Sequence, residues 1–317
     1  MKIVITEPLG ITTDALQALC MLLKADGHEI LTFKDRVQSD ELLIQRIDDA
    51  DVIILANQPL SREVIEACPN LKLIDIAFTG VDHVDVNCCK ERNIMICNAA
   101  GYSTNAVAEL SFGLMIQILR QINECDRKMR LGTAVAGTVG TELYGKKLGI
   151  IGTGRIGQKV ASIAHAFGCE ILAYSRTQKQ NLIELGVKYV SLEQLLKEAD
   201  IITLHLPASK DTEHLLGETE FKMMKKNSIL INTARGNIVD TQALVKALQE
   251  NEIGGVGLDV FEQEEPLNQG NPLLKAPNTV LTPHIAYATK ESLYQRALIV
   301  FDNVRCWLEG NPQNVVK

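Results

Sequence analysis

Leu148-Gly149-Ile150-Ile151-Gly152-Thr153-Gly154-Arg155-Ile156-Gly157 decides how the rest of this chain is read. A short apolar run ends in Gly-x-Gly-x-x-Gly. A helical pattern follows from Gln158 to Phe167, and then a second apolar run, Glu170 to Tyr174. The order is strand, tight turn, helix, strand. In such a unit Gly152 permits the turn, Gly154 lets a pyrophosphate approach the backbone, and Gly157 lets helix and strand pack closely. The phosphates would sit on the helix N-terminus, at Arg155 and Ile156, where free N–H groups and the helix dipole favour anions. A glycine triplet alone is a weak signal, and its place between strand and helix is what strengthens it.

Working outward, the second half of the chain continues as βα units. Strands are expected at 148–151, 170–174, 189–190, 201–205, 228–232, 255–258 and 279–281, with helices at 155–167, 179–185, 192–198, 219–224 and 240–250. Alternation of this kind implies a parallel sheet covered on both faces. The residue that reads the adenosine ribose should close the second strand, where an Asp or Glu would bond the 2′-hydroxyl and favour NAD. This chain has Tyr174-Ser175-Arg176-Thr177 instead. Ser175 can bond a 2′-phosphate, Arg176 can neutralise it, and no carboxylate repels it. NADP(H) is therefore the favoured cofactor, with NAD(H) as the alternative if Arg176 stacks on adenine or faces solvent.

Three polar clusters stand at strand ends: Asn232-Thr233-Ala234-Arg235-Gly236, Asp259 through Pro266, and Thr282-Pro283-His284-Ile285-Ala286. Each member has a plainer reading by itself. A lone Arg after a strand is commonly a surface ion pair, a lone His after Pro a packing residue, and an acidic loop a solvated one. Beside a dinucleotide motif they match what reduction of a keto acid needs. An Arg fork holds the substrate carboxylate and polarises the keto oxygen. A His gives that oxygen a proton, and a carboxylate keeps the His charged.

The first hundred residues also alternate. Strands are expected at 2–6, 29–33, 52–55, 72–76 and 95–98, and helices at 13–25, 40–47 and 62–67. Thr79-Gly80-Val81 follows the fourth of these strands, at the edge where open α/β sheets bind ligands. Asn57, Gln58, Tyr102 and Tyr287 are further candidates for a pocket lining. A long apolar segment, 105–122, reads as a buried helix joining two domains. Residues 123–147 are polar and glycine-rich with little periodicity, and read as a linker or a subunit-contact arm. A last helix, 290–309, is expected to return to the first domain. The reading gives domains of 1–99 plus 288–317 and of 100–287.

At 317 residues the chain is long enough for two cores. Its hydrophobic fraction of 46% and charged fraction of 22% are ordinary for a globular protein. The net charge of −7 argues against nucleic acid or an anionic membrane as partner. No apolar run is long enough to cross a bilayer, and the chain opens directly on a strand without a signal-peptide layout. The 8 cysteines show no metal spacing and read as reduced, mostly buried thiols in a cytoplasmic protein. No metal site is expected.

These pieces together resemble the D-isomer-specific 2-hydroxyacid dehydrogenases, the family that contains glycerate dehydrogenase, hydroxypyruvate/glyoxylate reductase and phosphoglycerate dehydrogenase. The resemblance spans nearly the whole chain. It is carried by Phe78-Thr79-Gly80-Val81-Asp82, Asn105-Ala106-Val107-Ala108-Glu109, Leu143-Tyr144-Gly145-Lys146, the Gly152–Gly157 turn, His205-Leu206-Pro207, Asn232–Gly236, Leu258-Asp259-Val260-Phe261 and Pro283-His284-Ile285.

The resemblance implies an α/β fold in which a Rossmann dinucleotide-binding domain is inserted in a flavodoxin-like substrate domain. It implies Arg235 as the group that binds and polarises substrate, His284 as the acid/base, and Glu264 as its carboxylate partner. The family has Pro directly after that Glu, whereas here Glu265 intervenes before Pro266, so Glu265 stays open as the alternative. It further implies Val107, Pro207, Thr233 and Ala234 as cofactor contacts and Asp259 beside the nicotinamide. The Thr79 and Gly80 backbone is expected to take the substrate carboxylate. Many relatives carry a Trp in the segment 123–142, and this chain has its 1 Trp at position 307.

The expected function is NAD(P)H-dependent reduction of a small 2-oxo acid, hydroxypyruvate or glyoxylate first, to the D-2-hydroxy acid by a homodimer. The alternatives are another substrate of the same family (a D-lactate-like, branched-chain, 3-phosphoglycerate or phosphite substrate) and a redox-sensing, corepressor-like binding protein.

Overall fold

The computed structural model describes residues 1–133, 139–263 and 266–316. The chain divides into two compact units, Met1–Ser103 with Ala288–Lys317, and Thr104–Tyr287.

The first unit runs β1 (Lys2–Ile5), α1 (Thr13–Ala25), β2 (Glu29–Thr32), α2 (Asp40–Ile47), β3 (Val52–Leu55), α3 (Arg62–Ala67), β4 (Leu73–Ile76), α4 (Val86–Glu91) and β5 (Met95–Asn98). Its sheet has the order β2-β1-β3-β4-β5, and all the pairings are parallel. β3 and β4 are buried at every residue, as strands covered on both faces must be. Helix starts follow local chemistry, with Thr12, Ser39 and Ser61 each capping a helix through the side-chain oxygen. The same chemistry makes α4, which the sequence reading left out. Asp85 accepts the Cys88 N–H at 2.8 Å, and the helix is too short for its periodicity to stand out.

The second unit begins with α5 (Thr104–Leu119) and α6 (Ile122–Arg130). There follow β6 (Lys147–Ile151), α7 (Arg155–Ala166), β7 (Glu170–Tyr174), α8 (Gln180–Glu184), β8 (Lys188–Tyr189), α9 (Leu192–Glu198), β9 (Ile201–Leu204), α10 (Glu218–Met223), β10 (Ile229–Asn232), α11 (Thr241–Gln249), β11 (Gly255–Leu258) and β12 (Thr279–Leu281). Short 3₁₀ turns lie at Gly236–Ile238 and Pro272–Lys275. The parallel sheet has the order β12-β11-β10-β9-β6-β7-β8, so the strand order reverses between β6 and β9. That reversal is where doubly wound sheets bind dinucleotides. α5 packs on α7 and on β10 to β12, which explains its apolar sequence.

Two expectations are corrected here. The helix expected over 105–122 stops at Leu119, because Gln121 turns left-handed at φ +50°. The segment expected to be irregular from 123 contains most of α6. α6 buries none of its residues. Its helicity rests on surface ion pairs at helical spacing, Glu124 with Arg127 and Lys128, and Asp126 with Arg130. Composition alone reads such a stretch as a loop. Residues 134–138 of the expected arm lie outside the described residues.

α12 (Lys290–Leu308) belongs to the first unit and packs on β4 and β5. Its Asn303 is a buried hub. The amide donates to Asp75 Oδ1 at 3.0 Å and to Asn98 O at 3.1 Å, and its oxygen accepts from Asn314 at 2.8 Å. The chain after α12 then adds an antiparallel bridge beside β5, Cys97 to Val315, and covers that sheet edge.

All 8 cysteines are free, and Cys20, Cys68, Cys88, Cys89, Cys97 and Cys169 are buried. Burial pushes the Cys89 and Cys97 thiols up to about 12. Among the described residues no helix is long and apolar enough to cross a membrane, and no acidic, His or Cys cluster could hold a metal ion.

Candidate active site

The glycine turn has the geometry its residues demand. Gly152 sits at φ +98°, and a Cβ there would lie 2.4 Å from the His205 carbonyl oxygen at the end of β9. A Cβ on Gly157 would lie 2.0 Å from Gly152 O, whereas one on Gly154 would meet nothing within 4 Å. The space at Gly154 opens directly over the start of α7. No side chain caps that helix, so the first-turn amides of Arg155, Ile156 and Gly157 are not taken by a capping group. These features fit a dinucleotide pyrophosphate.

At the end of β7, Ser175 is half-buried and Arg176 and Thr177 are exposed. Thr177 O accepts the Thr153 hydroxyl at 3.3 Å, which ties this loop to the glycine turn. Val107 is buried, Ala234 half-buried and Pro207 exposed. The Thr233 side chain is occupied within the fold, with Oγ1 3.0 Å from the Ser111 hydroxyl of α5. His205 is a core residue whose Nε2 lies 2.9 Å from Thr203 Oγ1. Burial holds its pKa down at about 3, so the imidazole stays neutral.

Arg235 and His284 come from adjacent parts of one sheet end. Arg235 follows β10. Asn232, 1% exposed, shapes its loop by donating to Arg235 O at 2.8 Å and accepting the Ala234 N–H at 3.0 Å. Asp259 follows β11 and is 0% exposed. Its Oδ1 accepts the Thr282 hydroxyl at 2.6 Å and the Ile285 N–H at 2.9 Å, and its Oδ2 accepts the Ala286 N–H at 2.8 Å.

His284 therefore rides on a turn wrapped around a buried carboxylate. Its backbone is left-handed at φ +52°, which costs a non-glycine residue about 1–2 kcal/mol. The turn is held there by the His284 N–H, which donates to Asp259 O at 2.9 Å and Thr282 O at 3.0 Å. The Asp259 N–H in turn donates to Asn232 O at 2.9 Å, so one chain of bonds links the Arg235 loop to the His284 turn. The Tyr287 ring stands edge-on to the imidazole, with centroids 5.6 Å apart.

Comparison with known proteins shows the family of the chain. Residues 112–286 match the NAD binding domain of the D-isomer specific 2-hydroxyacid dehydrogenases. The chain is 40% identical over 305 residues to a glyoxylate reductase of Korarchaeum cryptofilum, covering 93% of this chain and 92% of the relative. The chain belongs to this family. It is also 36% identical to a hydroxypyruvate reductase of Blautia hydrogenotrophica, over 93% of each chain. Among solved structures it is similar to an acyclic imino acid reductase in complex with NADPH and D-arginine, at TM-score 0.89 and 32% identity with both chains fully covered. As a D-2-hydroxyacid dehydrogenase the protein is an NAD(P)-dependent oxidoreductase of two-domain α/β architecture.

Within that family frame, the structure assigns Asp259 a more specific task than its sequence position suggested. Expected beside the nicotinamide, its carboxylate holds the His284 turn. In the sequence Asn232 is one member of a polar motif, and its role in shaping the Arg235 loop emerges only from the structure. A buried Asn closing an apolar strand was the available signal. Glu264 and its alternative Glu265 lie outside the described residues. In the first unit, Thr79 and Gly80 follow β4, and Thr79 O accepts the Asn98 side-chain amide at 2.8 Å. The neighbouring Phe78 ring lies beneath the Arg296 guanidinium at 4.7 Å and meets the Tyr102 ring edge-on at 6.0 Å. Asn57 is exposed and Gln58 buried.

Proposed function

We propose that this dehydrogenase reduces a small 2-oxo acid, hydroxypyruvate or glyoxylate by preference, to its D-2-hydroxy acid, with NADPH favoured over NADH. The observation that carries the reading is the bonded chain Asn232–Asp259–His284, which sets an Arg and a His on one sheet end. The Arg235 guanidinium binds the substrate carboxylate and polarises the keto oxygen. The reduced nicotinamide supplies a hydride when bound. His284 gives its proton to the keto oxygen, and Glu264 is the carboxylate that orients the imidazole. Gly152, Gly154 and Gly157, with Arg155 and Ile156, hold the pyrophosphate. Val107, Pro207, Thr233 and Ala234 border the cofactor, with Thr233 acting through its backbone. The glyoxylate and hydroxypyruvate reductases among the relatives support the substrate class.

Ser175 and Arg176 stand where an acid would select NAD, and the similar NADPH-bound imino acid reductase supports use of the phosphorylated cofactor. Kinetics over a panel of 2-oxo acids with both cofactors tests the reading. The expected result is highest kcat/KM for hydroxypyruvate or glyoxylate with NADPH, and an NADPH/NADH ratio that falls about tenfold in Arg176→Ala. Turnover of none of the panel with either cofactor would overturn it. We further propose a homodimer. Exposed apolar residues Ile122, Met129, Leu131, Val139, Tyr144 and Phe167 in the second unit support it. Light scattering after size exclusion would return the monomer mass if this is wrong.

A further inference from the structure

One ion pair of the second unit has no part in the reaction as described. His214 Nε2 lies 2.5 Å from Glu262 Oε1. The other oxygen of Glu262 accepts the N–H of Thr241, the first residue of α11, at 2.8 Å. His214 holds the other side of the same segment. Its own N–H donates to Asn237 O at 2.8 Å, and two residues on, Leu216 bonds Ile238 and Asp240 through the backbone. Asn237 and Ile238 belong to the 3₁₀ turn that starts directly after Arg235.

Two features show that the contact is built rather than incidental. A Cβ on Gly236 would lie 1.9 Å from the Phe261 carbonyl carbon and 2.4 Å from Glu262 N, so the main chains beside Arg235 and Glu262 touch. His214 also adopts φ +47°, a left-handed backbone that a non-glycine residue takes only when its surroundings hold it there.

We infer that the His214–Glu262 pair is a positioning clamp for the active site, fastening the Arg235 segment to the loop that carries Glu262. This rests on the reductase reading above. Neither residue of the clamp touches substrate. The clamp acts through Arg235, so its loss raises KM for the 2-oxo acid and lowers kcat while leaving the glycine turn's hold on cofactor intact.

The clamp is also sensitive to proton concentration. The hydrogen bond that the imidazole donates to Glu262 holds its pKa above the ordinary value against the cost of desolvation, and the charges of Glu262, Asp240 and Glu213 add to it. A raised histidine pKa means that the charged pair is complete at low pH and is lost as pH rises through that raised value.

The test uses His214→Gln, Glu262→Gln and the double variant, assayed from about pH 6 to about pH 10 with NADPH and the best 2-oxo acid. At the acid end each single variant is expected to lose about tenfold in kcat/KM, with the double variant no worse than the poorer single. The ratio of wild type to variant should shrink toward one as pH rises. The NADPH Kd, read by fluorescence titration, should stay within about twofold. A ratio that is constant with pH, additive losses in the double variant, or a loss shared with NADPH binding would overturn the clamp.

Two readouts do not depend on turnover. NMR titration should find the His214 pKa lower in Glu262→Gln, and amide exchange at Gly236–Asp240 should quicken in both single variants. If the wild-type protein reduces no 2-oxo acid, the functional reading falls while these two measurements still decide the clamp. Unchanged exchange sinks the clamp even in an active enzyme.

Discussion

Asp75 and Asp259 are both 0% exposed, one inside β4 of the first unit and one at the end of β11 in the second, and they are put to opposite uses. Asp259 accepts hydrogen bonds from the Thr282 hydroxyl and from the Ile285 and Ala286 amides, which spend both of its oxygens on the turn that carries His284. Asp75 accepts one, from Asn303, and its Oδ2 has no hydrogen-bond partner among the described residues. Burial drives the Asp75 pKa well above the ordinary carboxylate value, with the Asn303 bond opposing it only in part. Burial alone therefore does not fix what a carboxylate does. The number of donors aimed at it decides whether it is spent on holding a turn or, as at Asp75, is left with an oxygen that no donor meets.

The sharpest way to break this contrast is to remove what the Asp259 turn supports. His284→Ala or Arg235→Ala is expected to lower kcat/KM by at least about a hundredfold while the melting temperature stays near wild type. Asp75→Asn should leave kcat/KM within about twofold. Near-normal turnover in either of the first two variants would remove the second unit's sheet end from the chemistry.

Next in size is Asp259→Asn. The new amide must point an N–H at one of the present donors, so both stability and alignment suffer. The expected cost is about 1–3 kcal/mol in unfolding free energy, with a kcat/KM loss of at least about tenfold. Denaturant melts together with steady-state kinetics check it, and a loss of stability with full activity would show that the turn does not need the carboxylate.

The smallest effect runs in the opposite direction. The folded-state pKa of Asp75 is raised, so the folded protein binds the proton more tightly than the unfolded chain does. The ionised form is disfavoured by folding, and stability falls as pH rises from the unfolded carboxylate value of about 4 toward the raised one. Asp75→Asn keeps the acceptor for Asn303 and removes this penalty. It should raise the melting temperature by a few degrees at about pH 8 and by nothing near pH 4. A gain that is independent of pH would mean that ionisation of Asp75 is not the cause.

Elements that carry their own local signal were legible before any coordinates. The glycine turn, the capped helices of the first unit and the apolar strands β3 and β10 all stand where their residues indicate, because steric demands and burial act within a few residues. α6 was not legible, since a helix with no buried face has no apolar stripe, only ion pairs that composition does not reveal. α4 was hidden by its length. At the candidate site, Arg235 and His284 could be picked out as polar residues following buried strands. The roles of Asn232, Asp259, His214 and Glu262 could not. Asp259, His214 and Glu262 each act on a partner far away in sequence, as in the separation of Glu262 from His214 or of Asp259 from Thr282, while Asn232 bonds within its own loop.

What the sequence determined by itself is the class of chemistry and its parts: alternating βα units, a tight strand-to-helix turn that glycine alone can make, no acid after β7, and an Arg and a His each following a strand. What tertiary structure alone decided is how those parts are held. Gly152 is required because the end of β9 runs against it, His284 keeps a left-handed backbone because Asp259 fills the turn beneath it, and the Arg235 segment is gripped from two sides by His214 and Glu262. Local rules of sterics and periodicity are written residue by residue. Hydrogen bonds between strand ends exist only once parallel strands separated by whole helices have been brought side by side.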